Sequence, residues 1–276
     1  MGRQTKLYNS SITRVRPVFQ QLIHNENMDW LSAILNLCNS DYAKSLASDT
    51  GAISKYSVQK RSFSDSTLKQ REFDSTKLEN CFEHPLSPAT RFLEWLIKNP
   101  SLMSWPAGKQ YGEKTESKRK QLLESDSATI TEALKKLVQN EVKKPNRDWW
   151  VFEGYTEVDC LIETDKLVLA IEGKRTEKGP SKSTAWYPQR NQLVRNLESL
   201  KQHASNKDYA LILIDEEGKY QLDESKFNLS LPHFSQDERK ELSDHYLGNI
   251  TWQQVCMATG ISYSGLPDTV NDVLIN

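Results

Sequence analysis

The chain is poor in the features that announce many protein classes. Its four cysteines, Cys38, Cys81, Cys160 and Cys256, are scattered through 276 residues, and none forms a C-x-x-C pair. That spacing argues against a zinc ribbon or a disulfide framework and fits free thiols in a reducing cytosol. No apolar run approaches the length of a membrane-crossing helix, and the opening "MGRQTKLYNSSITRVRP" has no apolar segment of the kind a secretory leader needs. Gly2 follows Met1, but Lys6 stands where a myristoylation signal wants Ser or Thr. A cytoplasmic protein without a membrane partner is expected. An excess of one charge is also missing: 36 Lys and Arg face 37 Asp and Glu, a net charge of -1. Any phosphate-binding surface must then come from local clustering of basic residues.

Several catalytic signatures are absent too. His24, His84, His203, His233 and His245 show no H-E-x-x-H or other paired spacing and read as structural or surface residues. Gly173-Lys174 is not a phosphate-binding loop, because Arg175 follows it and no glycine stands at the required earlier position. No Ser occurs in a G-x-S-x-G setting, which excludes the usual α/β-hydrolase elbow. There is no internal repeat.

What the chain does contain is a run of helix and strand patterns. Residues 17–38 carry helical spacing for one or two short helices, and 39–77 are Ser-, Asp-, Lys- and Thr-rich and read as weakly packed. "SPATRFLEWLIKNP" predicts a helix with Phe92, Leu93, Leu96 and Ile97 on one face, stopped at Asn99-Pro100. A further helix is expected over 131–141, capped by Thr129 or Thr131. "DWWVFEGYTEVDCLIET" and "KLVLAIEGKR" read as strands, the stretch from Pro188 to about His203 as a helix, and "YALILID" (209–215) as a buried strand. "GNITWQQVCMATGIS" predicts one short helix that packs on the core rather than a DNA-reading helix-turn-helix. This order predicts an α/β (α+β) core with a mixed central sheet flanked by helices. A mainly helical accessory region (1–84) precedes the main domain (85–276).

The two strands around residue 165 carry the chemistry. Side chains alternate along a strand. With Thr164-Asp165 as the tight turn, Asp159 falls opposite Ala170 and Glu157 opposite Glu172, so Asp159 and Glu172 share a face and can reach one cation. A slip of one residue would separate them. Two adjacent carboxylates repel unless something positive lies between them, and hard oxygen donors suit Mg²⁺ or Mn²⁺. Lys174, two residues on, can polarise a water or offset charge on a phosphate. Acid, acid and lysine around a metal is a device for phosphodiester hydrolysis.

Asp159 followed by Glu172-Gly173-Lys174 resembles the motif of the PD-(D/E)XK nuclease superfamily, the restriction-endonuclease-like fold, with Val158 in place of the proline. The resemblance spans about residues 120–215. It implies an αβββαβ core and a metal-dependent nuclease, an esterase-type hydrolase acting most often on DNA. Asp159, Glu172 and the Gly173 backbone carbonyl would hold the metal, and Lys174 would position the water. It further implies an acid on the preceding helix, best matched by Glu132 (with Glu124 and Glu141 behind it), and a polar residue on the following helix, best matched by Gln192. Glu132 reads equally well as a first-turn acid favoured by the helix dipole. Glu153 and Glu157 are further acids near the site. Arg175, Lys182, Arg190, Asn191, Arg195 and Asn196 are expected to contact nucleic acid. In the basic loop "KRTEKGPSKSTAWYPQR", Trp186 and Tyr187 either stack an unpaired base or pack on the core. A homodimer is one assembly open to such a chain. The competing readings are a catalytically silent nucleic-acid-binding or interaction subunit with the same fold, and a structural protein whose hairpin charges are merely solvated.

Overall fold

The computed structural model describes residues 8–23, 29–58, 86–140, 148–176, 179 and 184–275. The protein is a mixed α/β fold. One five-stranded sheet runs in the order β1 (Ile53–Val58), β2 (Cys160–Thr164), β3 (Leu167–Gly173), β4 (Asp208–Asp215) and β5 (Tyr246–Thr251). β1 and β3 both pair antiparallel with β2, and β4 and β5 join parallel to β3.

The α-helices are α1 (Arg16–Ile23), α2 (Asp29–Asn36), α3 (Asp41–Ser48), α4 (Thr90–Lys98), α5 (Glu113–Leu123), α6 (Ser127–Gln139), α7 (Gln192–Ala204), α8 (Glu224–Ser230), α9 (Gln236–Asp244), α10 (Trp252–Thr259) and α11 (Val270–Ile275). One turn of π-helix, Ser11–Val15, leads directly into α1.

The alternation of β3 sorts the helices into layers. Leu167, Leu169 and Ile171 join Val15, Val18, Phe19, Leu31, Ile34, Leu35 and Trp252 in one buried cluster. Val168 and Ala170 face the other way, into a cluster with Leu193, Val194, Leu197 and Leu200 of α7. All seven residues of β3 are buried, as expected of a central strand covered on both faces. A third cluster, around α4, α5 and α6, takes in Trp150, Phe152, Trp186 and Tyr187.

Three expectations are corrected. The boundary at 84/85 divides one sheet and one apolar cluster: β1 is an edge strand of that sheet, and α1 and α2 cover its face. Residues 41–48 and 53–58, expected to be weakly packed, form α3 and β1, while 59–85 lie outside the described residues. The stretch 148–159 is not strand; within it only Thr156 bridges to Leu86. The caps also differ in detail. α6 begins after Asp126, whose side chain accepts from Thr129 N, and α7 begins after Asn191.

The hairpin turn is shifted by one residue from the expected place. Cys160 pairs with Ile171 and Glu163 with Val168, which puts Asp165-Lys166 at the tip. Thr164 Oγ1 accepts from Lys166 N (3.1 Å) and Leu167 N (2.8 Å), and Asp165 Oδ1 accepts from Ala52 N (2.8 Å). These side-chain bonds pin the turn. Moving the turn by one residue moves the pairing by two, so the parity is kept and Asp159 still shares a face with Glu172.

The layering makes the described residues up to Val58 (8–23 and 29–58) part of the core. Deleting them exposes a whole face of the sheet, and the remaining chain is expected to lose cooperative thermal unfolding. A sharp, wild-type-like melt of the shortened chain would show instead that the segment is an appendage.

Candidate active site

The carboxyl end of β3 gathers polar groups from three parts of the chain. Glu172, 2% exposed, continues the Val168–Ala170 face and points toward α7. Its Oε1 accepts from Lys174 Nζ at 2.7 Å and from Gln192 Nε2 at 2.6 Å, and its Oε2 accepts from Asn196 Nδ2 at 3.4 Å. Gln192 and Asn196 lie four residues apart on α7, and this spacing puts both on the helix face that meets the strand.

Asp159, 6% exposed, lies beside Glu172 by the observed register. Its Oδ2 accepts from Gly173 N at 2.9 Å and its Oδ1 from Ser11 Oγ at 2.5 Å. Ser11 comes from the π-helical turn, a rare geometry that often marks functional sites.

The electrostatics follow from burial. Loss of solvent, helped by the negative charge of Asp159, pushes the Glu172 carboxyl up to about 7, against the opposing pull of Lys174 and Arg195. The raised value means that Glu172 is protonated on the acid side of neutrality. In the cation-free protein it contributes most stability below its unfolded value, and that contribution is lost as pH rises through about 7.

Gly173 has a steric task as well. A Cβ there would overlap Val15 Cγ2 and lie 2.9 Å from Trp252 Cζ2, so only glycine lets the π-helical turn and α10 close on the strand. Trp252 Nε1 in turn donates to the Lys174 carbonyl at 2.9 Å.

The other expected site residues divide clearly. Arg190 is corrected: it is 0% exposed, and its charge is taken up by two buried carboxylates rather than offered to a phosphate. Its Nε and Nη2 donate to the two Glu153 oxygens at 3.0 and 3.1 Å, Nη1 donates to Ser230 O at 3.0 Å, and Nη2 pairs with Glu198 at 2.7 Å. Its guanidinium also lies 3.8 Å from the Phe92 ring centre. Burial pulls its pKa down, but the charges of Glu153 and Glu198 outweigh that and raise it. Glu153 is thereby committed to Arg190 rather than to a metal.

Asn191 is corrected likewise. Its Oδ1 accepts from Leu193 N and Val194 N as the cap of α7, and its Nδ2 donates to Tyr220 Oη. Asn196 belongs to the carboxylates, and Thr156 Oγ1 donates to its Oδ1 at 2.9 Å. Arg175 is held by Glu216 and by the carbonyl and carboxylate of Asp268. Arg195 donates to Thr156 Oγ1 at 2.8 Å.

Glu132 sits on the α5–α6 surface between Lys118 (2.8 Å) and Lys136 (3.7 Å). The hydrogen bond from Lys118 holds its carboxyl below the usual range. Glu124 follows the last residue of α5, Glu157 is exposed, and Lys182 and Glu141 lie outside the described residues. Trp186 and Tyr187 are both 4% exposed and pack in the core.

Sequence reasoning missed Ser11 and Thr156. Ser11 stands 148 positions from Asp159 and Thr156 stands 40 from Asn196, and a lone hydroxyl at such a distance leaves no local trace. Among the described residues, no group of three or more His, Cys, Asp or Glu side chains converges as a metal cage. No helix among them is long and apolar enough to cross a membrane. Comparison with family models, curated proteins and solved structures finds no match, so the geometry alone must carry the functional argument.

The steric role of Gly173 can be isolated. Gly173→Ala is expected to destabilise by about 1–3 kcal/mol in urea unfolding. Combining it with Val15→Ala should cost less than the sum of the two changes. Strict additivity would mean that the close approach is not the reason for glycine.

Proposed function

We propose that the protein is a metal-dependent nuclease that hydrolyses phosphodiester bonds, with DNA the expected substrate and Asp159, Glu172 and Lys174 as the catalytic set. The observation that carries this reading is the pairing of two buried carboxylates at one strand end with a lysine on the same carboxylate oxygen as Gln192. Burying two neighbouring acids is costly, and their hydrogen bonds offset only part of that cost. A function that needs them is the physical reason to keep them together.

The donor set fits Mg²⁺ or Mn²⁺. Two carboxylates supply hard oxygen ligands, and Mg²⁺ uses one or two carboxylates and keeps its remaining waters. Asp159, Glu172 and the Gly173 carbonyl would hold the ion. When bound, it would neutralise charge on a phosphoryl oxygen and acidify a water. The chain's own groups do the rest. Gln192 and Asn196 fix the Glu172 carboxylate, while Ser11 and the Gly173 N–H fix Asp159. Lys174, whose side chain is 13% exposed, can hand a hydrogen bond from Glu172 to a water or a phosphate oxygen. Orientation of this kind is what a catalytic constellation requires of its neighbours.

The strand order supports the same reading from another side. The resemblance implies an αβββαβ core, and α1, β1, β2, β3, α7 and β4 occur in that order, with α2 and α3 inserted between α1 and β1 and α4–α6 between β1 and β2. On this reading the helix before the strands is α1 with its π-helical turn, and Ser11 rather than Glu132 is what it presents to Asp159.

One observation favours the silent subunit. Each of the four carboxylate oxygens already accepts a hydrogen bond within the protein. The test is cleavage of plasmid, linear and single-stranded DNA with Mg²⁺ or Mn²⁺. Wild type is expected to cut, with activity rising as pH passes through about 7 because Glu172 must ionise to hold a cation. Lys174→Ala should lose about 10²-fold or more of the rate. Equal rates for wild type and Lys174→Ala would remove the catalytic assignment, and DNA binding without any cutting would favour the silent subunit.

A further inference from the structure

Beside the carboxylates lies a cleft of about 400 Å³ that the proposed hydrolysis leaves unused. That volume falls within the roughly 300–1,000 Å³ of small-molecule sites. Its walls include Lys109, Tyr111, Arg119, Trp186, Gln192 and Arg195. Gln192 belongs to both places, since its Nε2 donates to Glu172 while its side chain lines the cleft. Anything seated in the cleft therefore adjoins the carboxylate pair.

The walls are cationic in an unbalanced way. Arg190 also reaches the cleft but is neutralised by Glu153 and Glu198. Arg119 and Arg195 make no ion pair with a carboxylate among the described residues, and Arg195 feels Glu153 and Glu172 only at a distance. Arg119, 5% exposed, donates to the carbonyl oxygens of Trp149, Asp148 and Val151. Its guanidinium lies 4.2 Å from the Tyr111 ring centre and 4.9 Å from that of Trp186. Arg195 bonds the Thr156 hydroxyl, and its buried Nε has no acceptor among the described residues. Burial lowers the pKa of both. Cations kept out of water without a carboxylate are costly unless an anion completes them. Lys109 adds an exposed positive charge at the rim.

The aromatic side of the cleft supplies the second requirement. Tyr111 is partly exposed, whereas Trp186 behind it is buried against Trp105 and Phe152. Tyr111 is thus the ring with surface to offer, and Trp186 is its backing. A cationic groove with an accessible aromatic ring is the combination that holds an unpaired nucleotide. A continuous duplex keeps its bases stacked on one another and has no free base face to give.

We propose that this cleft receives one unpaired nucleotide adjoining the phosphodiester held at Asp159 and Glu172, its phosphate facing Arg195 and Lys109 and its base facing Tyr111. The inference rests on the nuclease reading and narrows it to single-stranded or locally opened substrates.

The test separates the two. Binding is measured without divalent metal, on the full chain, by anisotropy of a labelled single-stranded oligonucleotide and of the same sequence as a blunt duplex. Deoxyadenosine monophosphate and inorganic phosphate serve as competitors. The single strand is expected to bind more tightly than the duplex. Tyr111→Ala should weaken it about tenfold. Lys109→Glu, an exposed change that spares the fold, should weaken it by a similar factor of about ten and flatten the salt dependence. A preference for duplex, or affinity indifferent to Lys109→Glu, overturns the proposal even where wild type cuts DNA and Lys174→Ala does not. Binding of the free mononucleotide without binding of the strand also overturns it. Single-strand binding that responds to both variants, with no cleavage by wild type, upholds the cleft and removes the nuclease reading.

Discussion

The constraint that organises the site is the burial of Glu172 beside Asp159. Two carboxylates at one strand end repel each other, and neither has much water to disperse its charge. The surrounding structure is organised around holding them. Lys174 supplies the countercharge, α7 supplies two amide donors to Glu172, and the strand's own Gly173 N–H and Ser11 supply donors to Asp159. Donors come from the N-terminal turn, the hairpin and α7, so the site exists only once these three have packed. The absence of a side chain at Gly173 is what lets Val15 and Trp252 close over the strand behind it.

A second buried charge cluster serves that packing. Arg190 is clamped between Glu153 and Glu198, and His233 Nε2 lies 2.6 Å from Glu198 Oε1. The cluster joins the segment before β2 to α7 and α8, and it sits one residue before the cap of α7. Removing one member would leave an unpaired buried charge, typically a loss of about 3–5 kcal/mol. Its value to the site is positional: it sets where α7 begins, and hence where Gln192 and Asn196 stand. From there Asn196, Thr156 and Arg195 run as a hydrogen-bonded chain from Glu172 toward the cleft.

How much of this was legible in the sequence depended on distance along the chain. The hairpin, α7 and β4 announced themselves through alternation and helical spacing, and the sharing of a face by Asp159 and Glu172 needed only the parity of the turn. Parity survived a shift of the turn from Thr164-Asp165 to Asp165-Lys166, which the side chain of Thr164 enforces. Gln192 was expected because the resemblance implies a polar residue on the helix that follows the strand, and the fold brings it to Glu172. β1 was missed because about a hundred residues separate it from its partner β2, and strand pairing at that range leaves no periodic mark. Arg190 misled for a different reason. Arg190 and Arg195 look alike in "RNQLVRN", yet one meets two buried carboxylates and the other a hydroxyl, a difference that only the fold creates.

The central claim is that Asp159 and Glu172 act as one anionic site for a divalent cation. Calorimetric titration of Mn²⁺ into wild type, Asp159→Asn and Glu172→Gln at pH 8 tests it most directly. One saturable site in wild type, lost in both variants while each keeps a cooperative melt, is the expected result. No Mn²⁺ binding to wild type, or binding that survives both substitutions, would contradict it.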